Sequence, residues 1–337
     1  MAKQINVGVI GAGRIGKIHA RNLAFHIPEA NVLAVSDVYV EAARQCAAEC
    51  RIPNVMADYH ALLEDKAIEA IFICSSTDTH ARIIGEGAAA GKQIFCEKPI
   101  DFDLGRIDEA LRAADKAGVK LQIGFNRRFD PNFRHAKEMV AAGKIGTPHI
   151  VRITSRDPQP PPLEYVKVSG GLFLDMAIHD FDMCRYLLNE EIKEIYAVGT
   201  SLVDPEIGRL GDVDTAITML TYTSGAFCTI DNSRKAVYGY DQRIEVFGSG
   251  GCIMVDNRGP YSANIYTAEH IHRDLPYYFF LERYQDSYLE EAREFIKCIQ
   301  NDTPPLATGK DGKISVLMGL AAQQSLKECR PVQFIAE

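Results

Sequence analysis

Ile5-Asn-Val-Gly-Val-Ile10-Gly11-Ala-Gly13-Arg14-Ile15-Gly16 is the stretch that decides the fold. An apolar run reads as a buried strand and passes directly into Gly-x-Gly-x-x-Gly, then into a helix from Arg14 to Phe25. A glycine pattern of this kind is weak alone; set between strand and helix it describes a dinucleotide-binding turn. Gly11 permits the tight turn, Gly13 lets a pyrophosphate approach the backbone, and Gly16 lets the helix pack closely on the strand. The first N–H groups of the helix, at Arg14 and Ile15, then face the phosphates. The plain alternative is a glycine turn that only joins two elements. Asp37 argues against it. It ends the second strand about 20 residues on, where a carboxylate accepts hydrogen bonds from the adenosine ribose. Val38 and Tyr39 follow where an NADP enzyme often places arginine, so NAD is favoured as cofactor.

Outward from this turn, strand and helix alternate through residue 125. Apolar runs fall at 32–36, 70–74, 93–96 and 120–124, with alanine-rich helical stretches at 41–50, 80–90 and 104–117. Near-continuous apolar strands joined by helices predict a parallel sheet covered on both faces. After the third core strand, Ser75-Ser-Thr77-Asp-Thr79-His80 ends beside the cofactor; Thr77 and Thr79 also suit simple helix caps. Beyond residue 125 the texture changes. A helix (131–142) leads to a strand near 149–154 and a proline loop at 158–162. From 192 to 266 longer strands with polar alternation predict a mainly antiparallel sheet, and two helices follow at 284–300 and 311–327. The expected architecture is an α/β Rossmann domain over 1–125. An α+β domain with a large open sheet, for substrate binding and oligomerisation, follows over 126–337.

Bulk properties narrow the class. With 37 basic against 45 acidic residues the formal charge is −8, which speaks against a nucleic-acid partner. No apolar run reaches the roughly 20 residues of a membrane helix, and no signal-peptide pattern precedes Ile5. Nine scattered cysteines without a C-x-x-C pair suit reduced thiols in a cytoplasmic protein rather than a disulfide frame or a zinc site.

Two further motifs carry chemistry. Glu97-Lys98-Pro99 closes a core strand, at the end where open α/β sheets place ligands. The proline holds Lys98 extended, and its ammonium suits a substrate hydroxyl that loses its proton. In Ser169-Gly-Gly-Leu-Phe-Leu-Asp175-Met-Ala-Ile-His179-Asp-Phe-Asp182, a carboxylate and an imidazole lie four residues apart. Positions so spaced on one helix share a face. His179 is the natural general base, because imidazole titrates near working pH. Asp175 either holds that imidazole or grips a neighbouring hydroxyl. A metal fragment is the other reading of such a pair, yet no third ligand is placed, and no metal is expected. Asp182 reads as a structural partner.

Together these motifs resemble the glucose–fructose oxidoreductase/inositol dehydrogenase/rhizopine catabolism (Gfo/Idh/MocA) family, and within it the myo-inositol 2-dehydrogenases. The likeness runs in order through Gly11 to His19, Phe95 to Pro99, Gly124 to Asp130, and Ser155-Arg-Asp-Pro through Asp182. It implies Lys98, Asp175 and His179 as the catalytic set, with a cis Lys98–Pro99 bond. It implies Ser75, Thr77, His80, Glu97 and Lys98 beside the cofactor. Asn126, Arg128 and Asp157 would line the substrate site, with Tyr238 or Tyr240 as its aromatic wall. A homotetramer built through the open sheet face is implied as well. Asn126 stands where inositol dehydrogenases often carry methionine, and Ala177 where threonine is common, which leaves the preferred isomer open.

The expected activity is NAD-dependent oxidation of a secondary hydroxyl of a cyclic polyol, with myo-inositol yielding 2-keto-myo-inositol. Another inositol isomer, or a sugar or anhydrosugar oxidoreductase, is the rival enzyme reading. A nucleotide-sensing regulator is the rival of another class, and it would be expected to have lost Lys98 or His179.

Overall fold

A computed structural model describes residues 3–335. The chain divides into two compact units. One comprises residues up to Phe129 together with Asp286–Ile314; the other comprises Asp130–Gln285 together with residues from Ser315 on. In the first, strands β1 (Ile5–Ile10), β2 (Ala30–Ser36), β3 (Asn54–Met56), β4 (Ala70–Ile73), β5 (Gln93–Glu97) and β6 (Leu121–Gly124) form one sheet. Its order is β3-β2-β1-β4-β5-β6, and every pairing is parallel. Helices α1 (Arg14–His26), α2 (Val40–Cys50), α3 (His60–Glu64), α4 (Thr77–Ala89) and α5 (Leu104–Ala117) make the crossovers. Both faces are covered, which is why Val7, Val9, Ile71, Phe72, Ile94 and Phe95 are all inaccessible to solvent. The strand order turns back between β1 and β4, and ligands of such sheets sit at the carboxyl ends beside that point.

The second unit opens with α6 (Pro131–Ala141) and β7 (Pro148–Arg156), then helices α7 (Leu163–Val166), α8 (Gly171–Asp175) and α9 (Ile178–Leu188). Strands β8 (Ile192–Thr200), β9 (Thr215–Tyr222), β10 (Phe227–Ser233), β11 (Asp241–Gly248) and β12 (Gly251–Val255) extend the sheet, and α10 (Pro205–Arg209) links β8 to β9. A separate hairpin of β13 (Asn264–Tyr266) and β14 (Ile271–Arg273) precedes α11 (Phe280–Arg283). With β15 (Val332–Gln333) the large sheet has the order β12-β11-β7-β10-β9-β8-β15. Its pairings are antiparallel except for β10 with β7, which run parallel and set Ser233 beside Arg156. Along β9 the alternation has period two: Ala216, Thr218, Leu220 and Tyr222 are buried, while Ile217 and Met219 between them are exposed.

The two remaining helices, α12 (Gln285–Asn301) and α13 (Gly309–Glu328), depart from the expected division at residue 125. Residues 286–314 belong with the first unit, not with the sheet unit that follows it in sequence. Ala292, Phe295 and Ile296 of α12 join the core that holds Phe72 and Phe95, and Phe295 meets Phe72 edge-on at 5.6 Å. Helical periodicity identifies which residues of α12 are buried; it says nothing of which sheet buries them. β3 and α3, unexpected from sequence, are too short for periodicity to register.

Candidate active site

The cofactor turn is built as its sequence requires. Gly11 has φ +96°, and a Cβ there would lie 2.6 Å from the Cys74 carbonyl. A Cβ on Gly16 would strike the Gly11 oxygen, whereas nothing stands within 4 Å of one on Gly13. Gly13 caps α1 without a side-chain hydrogen bond, so the first-turn N–H groups of Arg14 and Ile15 point out of an uncapped helix end. Asp37 lies past the end of β2, where its Oδ2 accepts from the Ala12 N–H at 2.7 Å and its Oδ1 from that of Tyr39 at 2.8 Å. Each carboxylate oxygen keeps a second lone pair for a ribose hydroxyl. Open space over Gly13, an uncapped helix and this carboxylate fit a dinucleotide.

Lys98 follows the carboxyl end of β5, half-buried, and its bond to Pro99 is cis. His80 sits behind it with both ring nitrogens on carbonyl oxygens, Nδ1 to Pro99 at 2.8 Å and Nε2 to Ser75 at 3.0 Å. The ring is buried, so it ties the loop after β4 to the Lys98–Pro99 turn and leaves no nitrogen for a cofactor. Ser76, not Thr77, occupies the cap position of α4. The Ser75 and Thr79 hydroxyls bond each other at 2.7 Å. Asn126 is buried in the short turn after β6, and Arg128 is committed to Asp311 at 2.9 Å and to the Leu306 carbonyl. Burial favours the protonated form of the Asp311 carboxyl, but Arg128 and Thr308 outweigh it and hold the group below its usual range.

Beneath Glu97 lies a cluster that the sequence did not announce. The His19 Nε2 bonds Glu97 Oε1 at 2.7 Å and stands 3.7 Å from Glu291 Oε1. Glu291 is inaccessible to solvent, with neither carboxylate oxygen hydrogen-bonded among the described residues. Burial, then the nearby Glu97, pushes its carboxyl well above the usual range, which favours the neutral acid. The three side chains offer ligand atoms within 4.8 Å of one another. The His19–Glu97 contact is nevertheless a hydrogen bond, shorter than the roughly 3.3 Å between two ligands at tetrahedral zinc.

In the second unit Asp175 and His179 are not on one helix. Asp175 ends α8 and His179 is the second residue of α9. Met176 and Ala177 between them stay right-handed helical, and the Leu172 carbonyl accepts from both their N–H groups. Angular phase is therefore nearly kept through the break. In the run 171–180 every residue is buried except Asp175 and His179. Gly171 starts α8 at φ +79°, and a Cβ there would lie 2.6 Å from Asp212 Oδ1. Asp212 in turn caps α8 through the Leu172 N–H.

The Asp175 carboxylate is held at both oxygens. Tyr165 donates to Oδ1 at 3.0 Å and Arg234 Nη1 to Oδ2 at 3.0 Å. Asp157 lies just past β7 with its Oδ2 3.7 Å from the same Arg234 nitrogen. Asn232, two residues before Arg234, donates to the buried Asp180 beside His179 at 2.8 Å. Of the two candidate tyrosines, Tyr240 is buried, edge-on to Tyr284 at 5.9 Å. Tyr238 is partly exposed, its hydroxyl donating to Asp241 and accepting from Arg156. Arg234 had no signal in the sequence, since only the parallel pairing of β7 with β10 brings it beside Asp157.

Comparison with known proteins agrees with this arrangement. Residues 5–125 match the oxidoreductase family with an NAD-binding Rossmann fold, and residues 133–254 match the GFO/IDH/MocA C-terminal domain. The chain is 52% identical to the myo-inositol 2-dehydrogenase of Thermotoga maritima, over 98% of each chain. It is 51% identical to the uncharacterized oxidoreductase YrbE of Bacillus subtilis, over 98% of this chain and 97% of that one. The crystal structure of Lactobacillus casei scyllo-inositol dehydrogenase with NAD(H) and scyllo-inositol superposes with TM-score 0.91 at 31% identity, covering 98% of this chain and 99% of that one. With the glycine turn, the Glu97-Lys98-Pro99 strand end and the paired sheet domain in place, this chain belongs to the Gfo/Idh/MocA oxidoreductase family.

Proposed function

We propose that this protein is an NAD-dependent dehydrogenase that oxidises one secondary hydroxyl of a cyclic polyol to a ketone, with myo-inositol as substrate and 2-keto-myo-inositol as product. The observation that carries the reading is the local exposure of Asp175 and His179 alone within an otherwise buried run, together with Lys98 at the carboxyl end of β5. Bound NAD would supply the hydride acceptor. His179 takes the hydroxyl proton as general base, a role worth about 10²–10⁴-fold in rate. Lys98 hydrogen-bonds the same oxygen and stabilises its developing negative charge. Asp175 is presented as an oriented acceptor, its own charge balanced by Arg234, and it grips a neighbouring hydroxyl.

Scyllo-inositol is the second reading, supported by the Lactobacillus casei relative and by Asn126 and Ala177, which stand where inositol dehydrogenases often carry methionine and threonine. Both side chains are buried. A regulator without chemistry is disfavoured by the intact Lys98, Asp175 and His179. A homotetramer is supported by the apolar residues exposed on the outer sheet face, Val198, Ile217, Met219, Phe227 and Phe247. Among the described residues no helix is long and apolar enough to cross a membrane. The nine cysteines are free thiols, which supports a cytoplasmic location.

The test is NADH formation by the purified protein with NAD and a panel of inositols, aldoses and anhydrosugars. Turnover with myo-inositol that disappears in Lys98→Ala supports the narrow reading. Turnover confined to another polyol keeps the mechanism and changes the substrate, and silence across the panel with NAD still bound overturns both.

A further inference from the structure

We infer that Arg234 is a positioning residue that clamps Asp157 and Asp175 side by side as two ionised acceptors for neighbouring hydroxyls of the substrate. The inference rests on the polyol reading above and names the residue that gives the site its selectivity. Its geometry follows from the sheet. β7 and β10 run parallel with Arg156 opposite Ser233, so the next residues, Asp157 and Arg234, leave the sheet as neighbours. Backbone bonds lock the pair: Asp157 N–H to the Ser233 carbonyl at 2.9 Å and Ala236 N–H to the Asp157 carbonyl. The Arg234 N–H is bound to the Asp214 carbonyl at 2.8 Å.

The Arg234 side chain is 3% exposed, while those of Asp175 and Asp157 are 14% and 24% exposed. Arg234 therefore stands behind the two carboxylates and does not meet substrate itself. One nitrogen, Nη1, serves both: 3.0 Å to Asp175 and 3.7 Å to Asp157. The Nε and Nη2 atoms are buried with no hydrogen-bond partner among the described residues, so the side chain is not held in place by other hydrogen bonds. Burial of the guanidinium opposes its charge, and the two aspartates, with Asp212 further off, outweigh that and keep it ionised. Two carboxylates this close repel, and one would take up a proton unless a cation stood between them. With both ionised, each accepts a hydroxyl and neither donates. A site built to accept hydroxyl protons strongly rejects analogues that lack them. Such a pair selects a polyol over an isolated alcohol.

A double-mutant cycle tests this with the full-length enzyme, NAD and myo-inositol. Arg234→Met should lower kcat/KM for myo-inositol roughly 100-fold, as a displaced positioning contact does, while the KM for NAD is unchanged. Arg234→Lys should recover part of the loss. Asp157→Asn is made alone and on Arg234→Met to close the cycle; in the double variant it should restore activity rather than lose more, because it removes one of the two carboxylates left without a cation. Losses that simply multiply, or an equal rise in the KM for NAD, would overturn the clamp. Thermal melting of the wild type, Arg234→Met, Asp157→Asn and the double variant reads the coupling without any substrate. If the wild-type protein does not turn over myo-inositol, the polyol reading fails on its own, and a melting cycle with strictly additive shifts would overturn the clamp separately.

Discussion

Single residues in this protein do more than their types announce. Asp37 shows it: one carboxylate orders the glycine turn through Ala12, anchors its own loop through Tyr39, and keeps lone pairs for the ribose hydroxyls it is expected to bind. Losing a charge-assisted hydrogen bond costs about 1.5–3 kcal/mol. Asp37→Ala should therefore raise the KM for NAD by roughly 10- to 100-fold, and should narrow the preference for NAD over NADP. Steady-state kinetics with both cofactors measures this, and an unmoved cofactor ratio would place ribose recognition elsewhere. For His179, alanine should reduce kcat at least about 100-fold while NADH still binds, as a fluorescence titration would report. Turnover close to wild type would remove it from the mechanism. His80 illustrates the opposite case. A histidine that reads from sequence as a cofactor contact has both nitrogens engaged by the Pro99 and Ser75 carbonyls, and its contribution is to hold Lys98's turn.

Among the elements, α12 is the most consequential, because it carries Glu291 into the first unit. The sign of its effect on stability follows from its raised pKa. A carboxyl whose folded pKa lies above its unfolded value of about 4.3 contributes most when both states are protonated. That contribution is lost as pH rises toward the folded value. Replacing it with glutamine removes the dependence. The melting temperature of Glu291→Gln minus that of wild type should increase from pH 5 to pH 8, and a difference flat with pH would mean that Glu291 folds in its ionised form. The α8–α9 break belongs to this scale as well. Asp175 and His179 come from two helices, yet Met176 and Ala177 at the junction remain helical and Ile178 opens α9, so the angular phase expected of a four-residue spacing is nearly kept. Spacing survives such a break because it depends on φ and ψ, not on which carbonyl accepts each hydrogen bond.

For the whole molecule, the apolar outer face of the sheet bears on assembly. Val198 pairs directly with Ile217 across β8 and β9, and both are exposed. Charges placed there should be tolerated by the fold and incompatible with an apolar interface. The double variant Ile217→Lys with Met219→Lys should lower the mass seen by light scattering while leaving the circular dichroism spectrum in place. An unchanged mass would point to another assembly face or to a monomer.

What the amino-acid sequence determined by itself is whatever depends on short-range order. The glycine turn, the strand that stops just before Asp37, the strand end at Glu97 and the period-two strands were all legible. Each is encoded by neighbours within one element, where backbone geometry converts spacing into position. Tertiary structure alone decided which sheet receives α12, how β7 lies parallel to β10, and that Arg234, His19 and Glu291 stand behind residues far from them in the chain. Those placements are made by packing between segments remote in sequence, and buried polar groups then acquire partners that no local pattern specifies.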